Sequence, residues 1–217
     1  MCFSATASFI MAGVTGATGI ACLYAVQGRR EVLLGAFPAL FAVQQAVEGG
    51  VWLSLGSSSA GACALTTTFV LFAEVVWPML VPYALLLVEE SPRRKLFMRG
   101  LLAAGTVLAA YLLFKMWVSP YGASATTFHI RYENGLDYSY AIYPVYLMVT
   151  CGPFLLSTHR SLQQLGVVLV CGFLVAGYFY WYTFVSVWCF FAAGASILIY
   201  RHLVSQRTVS ASQRESA

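Results

Sequence analysis

The sequence predicts an all-α membrane protein, a bundle of seven transmembrane helices with the amino terminus outside and the carboxyl terminus in the cytoplasm. Three observations lead there. Of 217 residues, 60% are hydrophobic and 9% charged, with a mean hydropathy of +0.77; a soluble globular chain carries about a quarter charged residues. Apolar runs recur at 5–26, 32–55, 65–88, 100–118, 138–157, 162–181 and 183–203, each near the ~20 residues that cross a bilayer. The connections between them alternate between basic and almost uncharged. The runs fill residues 1–204 as one membrane domain, and the polar stretch 205–217 reads as a disordered cytoplasmic tail.

The first run has no basic residue before it and is too long for a signal-peptide core, so it is expected to remain as a helix. Arg29 and Arg30 follow it. The second run carries the most informative stretch, Phe41 to Leu55. Gln44, Glu48 and Trp52 recur at four-residue spacing and share one polar stripe. Ala42, Ala46 and Gly50 recur likewise on another side, where small residues suit close helix packing. An ionisable group in hydrocarbon costs at least about 2.5 kcal/mol unless it faces protein or a wet cavity, so Glu48 reads as a pocket residue.

An uncharged loop, 56–64, leads to the third run, which contains Glu74, Trp77 and two prolines. Pro78 has no N–H, so the Glu74 carbonyl four residues earlier is expected to lack its helical partner, and Pro82 does the same to Pro78. Arg93, Arg94, Lys95 and Arg99 follow. The fourth run holds Lys115, read as snorkelling to the interface or pairing with an acid. In the loop after it, Arg131 is offset by Glu133 and Asp137. The fifth run repeats the proline device at Pro144 and Pro153 and ends at His159 and Arg160. The seventh places Cys189, Ala192, Ala193 and Ser196 on one narrow face and ends at Arg201, His202 and Arg207.

Basic residues therefore cluster after the first, third, fifth and seventh runs, which puts those ends in the cytoplasm. The net charge of +4 suits cytoplasmic anchoring to the lipid bilayer rather than nucleic-acid binding. In this orientation Glu48 lies about six residues, or roughly 9 Å, below the outer surface, and Glu74 at a similar depth. Cys2, Cys63, Lys115, His129 and Cys189 belong to the same outer zone, with Tyr138, Tyr140, Tyr143, Tyr178, Tyr180 and Tyr182. The predicted site is an outward-facing polar pocket for a small ligand or ion, built from Glu48, Glu74, Gln44, Gln45, Trp52, Trp77 and His129, with transport or sensing as its use.

The alternative is a membrane-embedded enzyme using a metal ion or a cysteine thiol with Glu and His as acid–base groups. Cys2, His129, Cys189 and Glu48 offer the donors that zinc or copper accepts, although no CxxC or HxxxH spacing joins them. A disulfide or buried packing is the plainer reading of the thiols. Three-histidine zinc hydrolases are excluded because His159 and His202 fall at the opposite face from His129. A retinal protein is excluded because the seventh run has no lysine. Two three-helix repeats fail as well, since runs five to seven contain no carboxyl group to match Glu48.

The opening Met1-Cys2-Phe3-Ser4 with Ala7-Ser8, Gln44-Gln45-x-x-Glu48-Gly49-x-x-Trp52, Trp77-Pro78, Pro92-Arg93-Arg94, His129-Ile130-x-Tyr132 and Ser186-x-Trp188-Cys189 together resemble a family of bacterial multi-pass membrane proteins of unknown function. The resemblance spans nearly the whole chain. It implies a bacterial inner-membrane location and no particular activity.

Overall fold

A computed structural model describes residues 4–125, 129–135, 142–180 and 183–215. The elements run α1 (Ala5–Ala25), α2 (Val32–Gly35), α3 (Phe37–Ser54), α4 (Ala60–Leu71), a π-helical turn (Phe72–Val76), α5 (Trp77–Val88), α6 (Pro92–Val118), β1 (Gly122–Ala125), β2 (Ile130–Glu133), α7 (Ile142–Leu156), α8 (Arg160–Phe179), α9 (Phe184–Ala195) and α10 (Ile197–Glu215). Several of these join end to end. Six helices are long and apolar enough to cross a membrane: Ala5–Ala25, Val32–Ser54, Ala60–Val88, Pro92–Val118, Arg160–Phe179 and Phe184–Thr208. The fifth predicted run is represented by α7, whose 15 residues fall short of the ~20 of a full crossing. Residues 136–141 lie outside the described residues.

Helix starts follow local chemistry. The Ser4 and Ser59 hydroxyls accept from the Ala7 and Ala62 N–H groups, both at 3.2 Å, satisfying donors that the first turn leaves open. Pro92 opens α6 after Ser91, at the helical position where a missing N–H costs nothing. That helix consequently begins eight residues before the predicted run at Gly100, and the basic cluster Arg93–Lys95 rides on its first turn. Glycine at 56, with φ +81°, lets the chain leave α3 in a conformation that side chains disfavour. With no Gly or Pro after Ile197, α10 continues as helix to Glu215, past the Ser205 at which composition predicts disorder.

Successive long helices pack against one another, and α10 returns against α1. The most extensive helix pairing among the described residues is between α1 and α3. A Cβ at Gly19 would strike the Ala39 backbone, and one at Gly49 would strike the Phe9 ring. Of the predicted docking stripe, Ala42 faces Gly16 of α1 and Gly50 faces Leu65 of α4, whereas Ala46 is exposed, and the tightest contact of α3 with α1 on this side runs through Gly49. Leu53, Val107, Phe114 and Trp117 point outward, as lipid-facing side chains do. The last long helix is the most enclosed of the six. Its α9 half touches α1, α3, α8 and β2, and Cys189, Ala192, Ala193 and Ser196 are all buried there, matching the narrow face read from the sequence.

Between α6 and α7 the chain forms an antiparallel hairpin, pairing Gly122 with Glu133 and Ala125 with Ile130. Ile130 and Tyr132 share the inner face. Arg131 and Glu133 occupy the other and pair at 2.8 Å, both half-exposed, so the charge offset predicted for this loop exists as a weak surface contact. β1 rests on α4, and β2 on α9.

Candidate functional site

The site begins with the prolines of α5. A π turn shifts backbone bonding by one residue, so that the Trp77 N–H reaches the Phe72 carbonyl. The next bond in that register would run from residue 78 to the Ala73 carbonyl, and Pro78 has no N–H to give. The Tyr146 hydroxyl of α7 supplies the missing donor at 2.6 Å. The carbonyl that the π turn leaves open and Tyr146 fills is that of Ala73, one residue before the Glu74 carbonyl expected from α-helical spacing. One turn on, Pro82 leaves the Pro78 carbonyl open, and it lies so close to Gly105 of α6 that a Cβ there would collide with it.

The same turn aims Glu74 into a cavity of about 120 Å³. Glu74 Oε1 accepts from the Tyr121 hydroxyl at 2.7 Å, and Oε2 has no hydrogen-bond partner among the described residues. Aromatic rings supply most of the remaining wall: Tyr121 and Tyr132 from the hairpin segment, Tyr143 and Tyr146 from α7, Phe184 and Trp188 from α9. Tyr143 meets Phe184 edge-on at 5.8 Å, and Tyr132 stacks on Phe69 at 4.7 Å. The Trp188 indole hydrogen-bonds to the Tyr146 phenol. The rings are thereby braced against each other. A second, smaller cavity of about 40 Å³ is apolar and shares Tyr146, Trp188 and Cys189 with the first.

Cys189 is the junction. Its Sγ accepts from Gln44 Nε2 at 3.2 Å, and Gln44 Oε1 accepts from the Trp77 indole at 2.7 Å. Trp77 is itself stacked on Phe41 at 4.0 Å. The thiol is close enough to both Glu48 and Glu74 for their charges to act on it. The two acids therefore both face inward around one residue of α9.

The remaining predicted site residues divide. Glu48 is fully buried but accepts from Ser186 at 2.6 Å and does not line the larger cavity. Gln45 is fully buried with neither amide atom hydrogen-bonded among the described residues, and the Trp52 indole nitrogen is likewise without a partner. His129 lies beside Tyr180, ring centroids 4.9 Å apart; burial pushes its imidazole below the ordinary histidine range. Gln45, Trp52 and His129 are thus not brought to the Glu74 cavity. Lys115 stands 6.0 Å over the Tyr111 ring. For the zinc or copper reading, no three His, Cys, Asp or Glu side chains among the described residues come together as metal ligands. Cys2 lies outside the described residues, as do Tyr138, Tyr140 and Tyr182.

Tyr121 and Tyr146 were not singled out by the sequence, and Tyr132 entered only through the His129-Ile130-x-Tyr132 motif. One signal existed: Ile-Arg-Tyr-Glu at 130–133 alternates apolar and polar, the period of a half-buried strand, which would have put Tyr132 on the inward face.

Six long apolar helices around an acid set among aromatic rings define a helical bundle of membrane type with a mostly aromatic cavity that holds one carboxyl group among the described residues. The chain belongs to a family of unknown function (DUF6629), the match covering residues 1–215. No curated protein and no solved structure matches it.

Proposed function

We propose that the chain is an integral protein of a bacterial inner membrane, crossing it seven times with its amino terminus outside and its carboxyl terminus in the cytoplasm. In this reading it holds a small ligand or ion in the Glu74 cavity on the outer side, for transport or sensing. The observation that carries the reading is the placement of Glu74: a carboxyl group inside a long apolar helix, aimed by a π turn into a cavity and engaged there by a single phenol. A buried acid retained at such cost marks a ligand or ion pathway by default.

The orientation draws support from the basic residues after α1, α5, α7 and in α10, and from the charge-balanced hairpin at the opposite end, on the side of the cavity. Counting α7 as a span makes seven. The enzymatic alternative gains nothing from the geometry, since the hydrogen-bond partner of Cys189 is the Gln44 amide rather than a base.

The test is a thermal-shift screen of the purified protein against small ions, amines, amino acids and sugars, repeated with Glu74→Gln. A true ligand stabilises the folded state by mass action, and Gln keeps an acceptor for Tyr121. At least one compound should raise the melting temperature of the wild type and not of the variant. A panel in which no compound distinguishes the two proteins overturns the reading.

A further inference from the structure

The chemistry of the cavity wall narrows the ligand class. Among the described residues Glu74 is the single carboxyl group lining it, and no Lys, Arg or His lines it. Once ionised, Glu74 would meet no cation in the wall among the described residues, and one of its oxygens has no hydrogen-bond partner among them. An anion would be repelled by such a wall. A neutral polyol would leave the carboxylate without a counter-charge in a poorly solvated place. A bare divalent ion needs several hard oxygen or nitrogen donors at once, whereas this wall supplies one carboxylate and, beyond the phenol oxygens, mainly ring faces and aliphatic carbon.

Ring faces carry negative charge and attract a desolvated cation, and quaternary ammonium groups are commonly recognised by such aromatic cages. Phe184 and Trp188 lie stacked nearly parallel, 10° apart, with Tyr143 edge-on to Phe184. Tyr121 and Tyr132 close the cavity from the hairpin side. Size sets the other limit. An engineered cavity of about 150 Å³ admits benzene, so the space beside Glu74 admits an ion of about five non-hydrogen atoms.

We propose that the Glu74 cavity takes a small organic ammonium ion, its charge against the Glu74 carboxylate and its alkyl groups against the faces of Trp188 and the surrounding tyrosines. This deepens the pocket reading given above and rests on it. Glu74 confers the preference for positive charge, and the rings confer the preference for an alkylated ion over a hydrated inorganic one.

The probe is tetramethylammonium, measured by calorimetry on the full chain in detergent at constant ionic strength. Potassium serves as the inorganic control, and tert-butanol as a neutral molecule of the same size. Saturable binding of tetramethylammonium, with neither control binding, is expected. Glu74→Gln should weaken it about a hundredfold, and Trp188→Leu or Tyr132→Leu about tenfold each, the scale of one desolvated cation–π contact. Tyr132→Leu, in the hairpin, keeps the test falsifiable where Trp188→Leu fails to fold, and a size-exclusion profile matching the wild type guards each variant against loss of fold. Equal binding of tert-butanol, or indifference to Glu74→Gln, overturns the ammonium assignment and leaves the pocket reading in place. The assignment also falls if a neutral or anionic compound from the wider screen binds in a Glu74-dependent way while tetramethylammonium does not. Failure of every compound to distinguish Glu74→Gln sinks both.

Discussion

The Tyr146 hydroxyl sits 2.6 Å from the Ala73 carbonyl and stands in for the backbone N–H that Pro78 lacks. The side chain of one helix thereby completes the main chain of another, at the turn that carries Glu74. Removing the hydroxyl leaves a buried carbonyl and the Trp188 indole without partners. Tyr146→Phe should cost about 2 kcal/mol or more, at roughly 1–3 kcal/mol per buried group left unsatisfied, read as a lower melting temperature in detergent. In a Pro78→Ala background, where the backbone can donate again, the same change should cost distinctly less. Equal costs in the two backgrounds would show that Tyr146 does not serve the carbonyl.

Gly105 faces the other open carbonyl, that of Pro78, with no room for a Cβ. Gly105→Ala should separate α5 from α6 and cost about 1–3 kcal/mol, the range for overpacking. Gly100, on the same helix with nothing near it, is the control: Gly100→Ala should be neutral or slightly stabilising, because Ala is the better helix former. Chemical denaturation of the two variants in matched detergent would separate these outcomes.

Gln44 bridges Trp77 and Cys189. Gln44→Met keeps the volume and removes both contacts, stranding the indole donor, for an expected loss of about 1–3 kcal/mol. Adding Trp77→Phe should remove much of that penalty, since the stranded donor goes too. A double-mutant cycle on thermal stability tests the coupling, and strict additivity would contradict it.

Glu89 lies between the spans and caps the junction of α7 and α8. Burial pushes its carboxyl pKa up, but the N–H groups of Ser91, Thr158 and Glu90 and the Thr158 hydroxyl favour the ionised form and leave it below the ordinary range. A carboxyl whose pKa is lower folded than unfolded contributes stability that is present above the unfolded value, near about 4.3, and disappears as pH falls through the folded value. Melting temperature should therefore drop on acidification below about pH 4.3, and Glu89→Gln should be less stable at neutral pH with a shallower acid slope. An identical slope in the variant would rule Glu89 out as the source.

Orientation can be read with thiol reagents. Cys63 is exposed in the first turn of α4. A membrane-impermeant maleimide added outside intact cells should label Cys63 in a Cys2→Ser chain, and should not label a cysteine replacing Ser210 in a chain that also carries Cys2→Ser and Cys63→Ser. External labelling at position 210 reverses the orientation.

The inward-facing acids were legible in the sequence because hydrocarbon penalises an exposed carboxyl so heavily that Glu48 and Glu74 had few places to go. Four-residue spacing also placed Gln44 and Glu48 together, and both are fully buried. Spacing could not say which acid would line the cavity. That depended on a π turn, whose one-residue shift leaves no mark in hydrophobic periodicity, and on Ser186, a single hydroxyl that ties Glu48 to α9. The stripe of Ala42, Ala46 and Gly50 was right at its ends and wrong at Ala46, and it passed over Gly49, which is as small as its neighbour and lies against the Phe9 ring. The hairpin was missed because its strands are four residues each, too short to stand out in a chain read for long apolar runs.

Tyr121 and Tyr132 belong to a ribbon outside the bundle, while Glu74 is fixed within a helix. Two walls of the chamber are thus set by how the ribbon rests on α4 and α9 rather than by the packing of the long helices. Under the proposed reading, a crosslink from β1 to α4 would fix those two walls without touching any atom of Glu74.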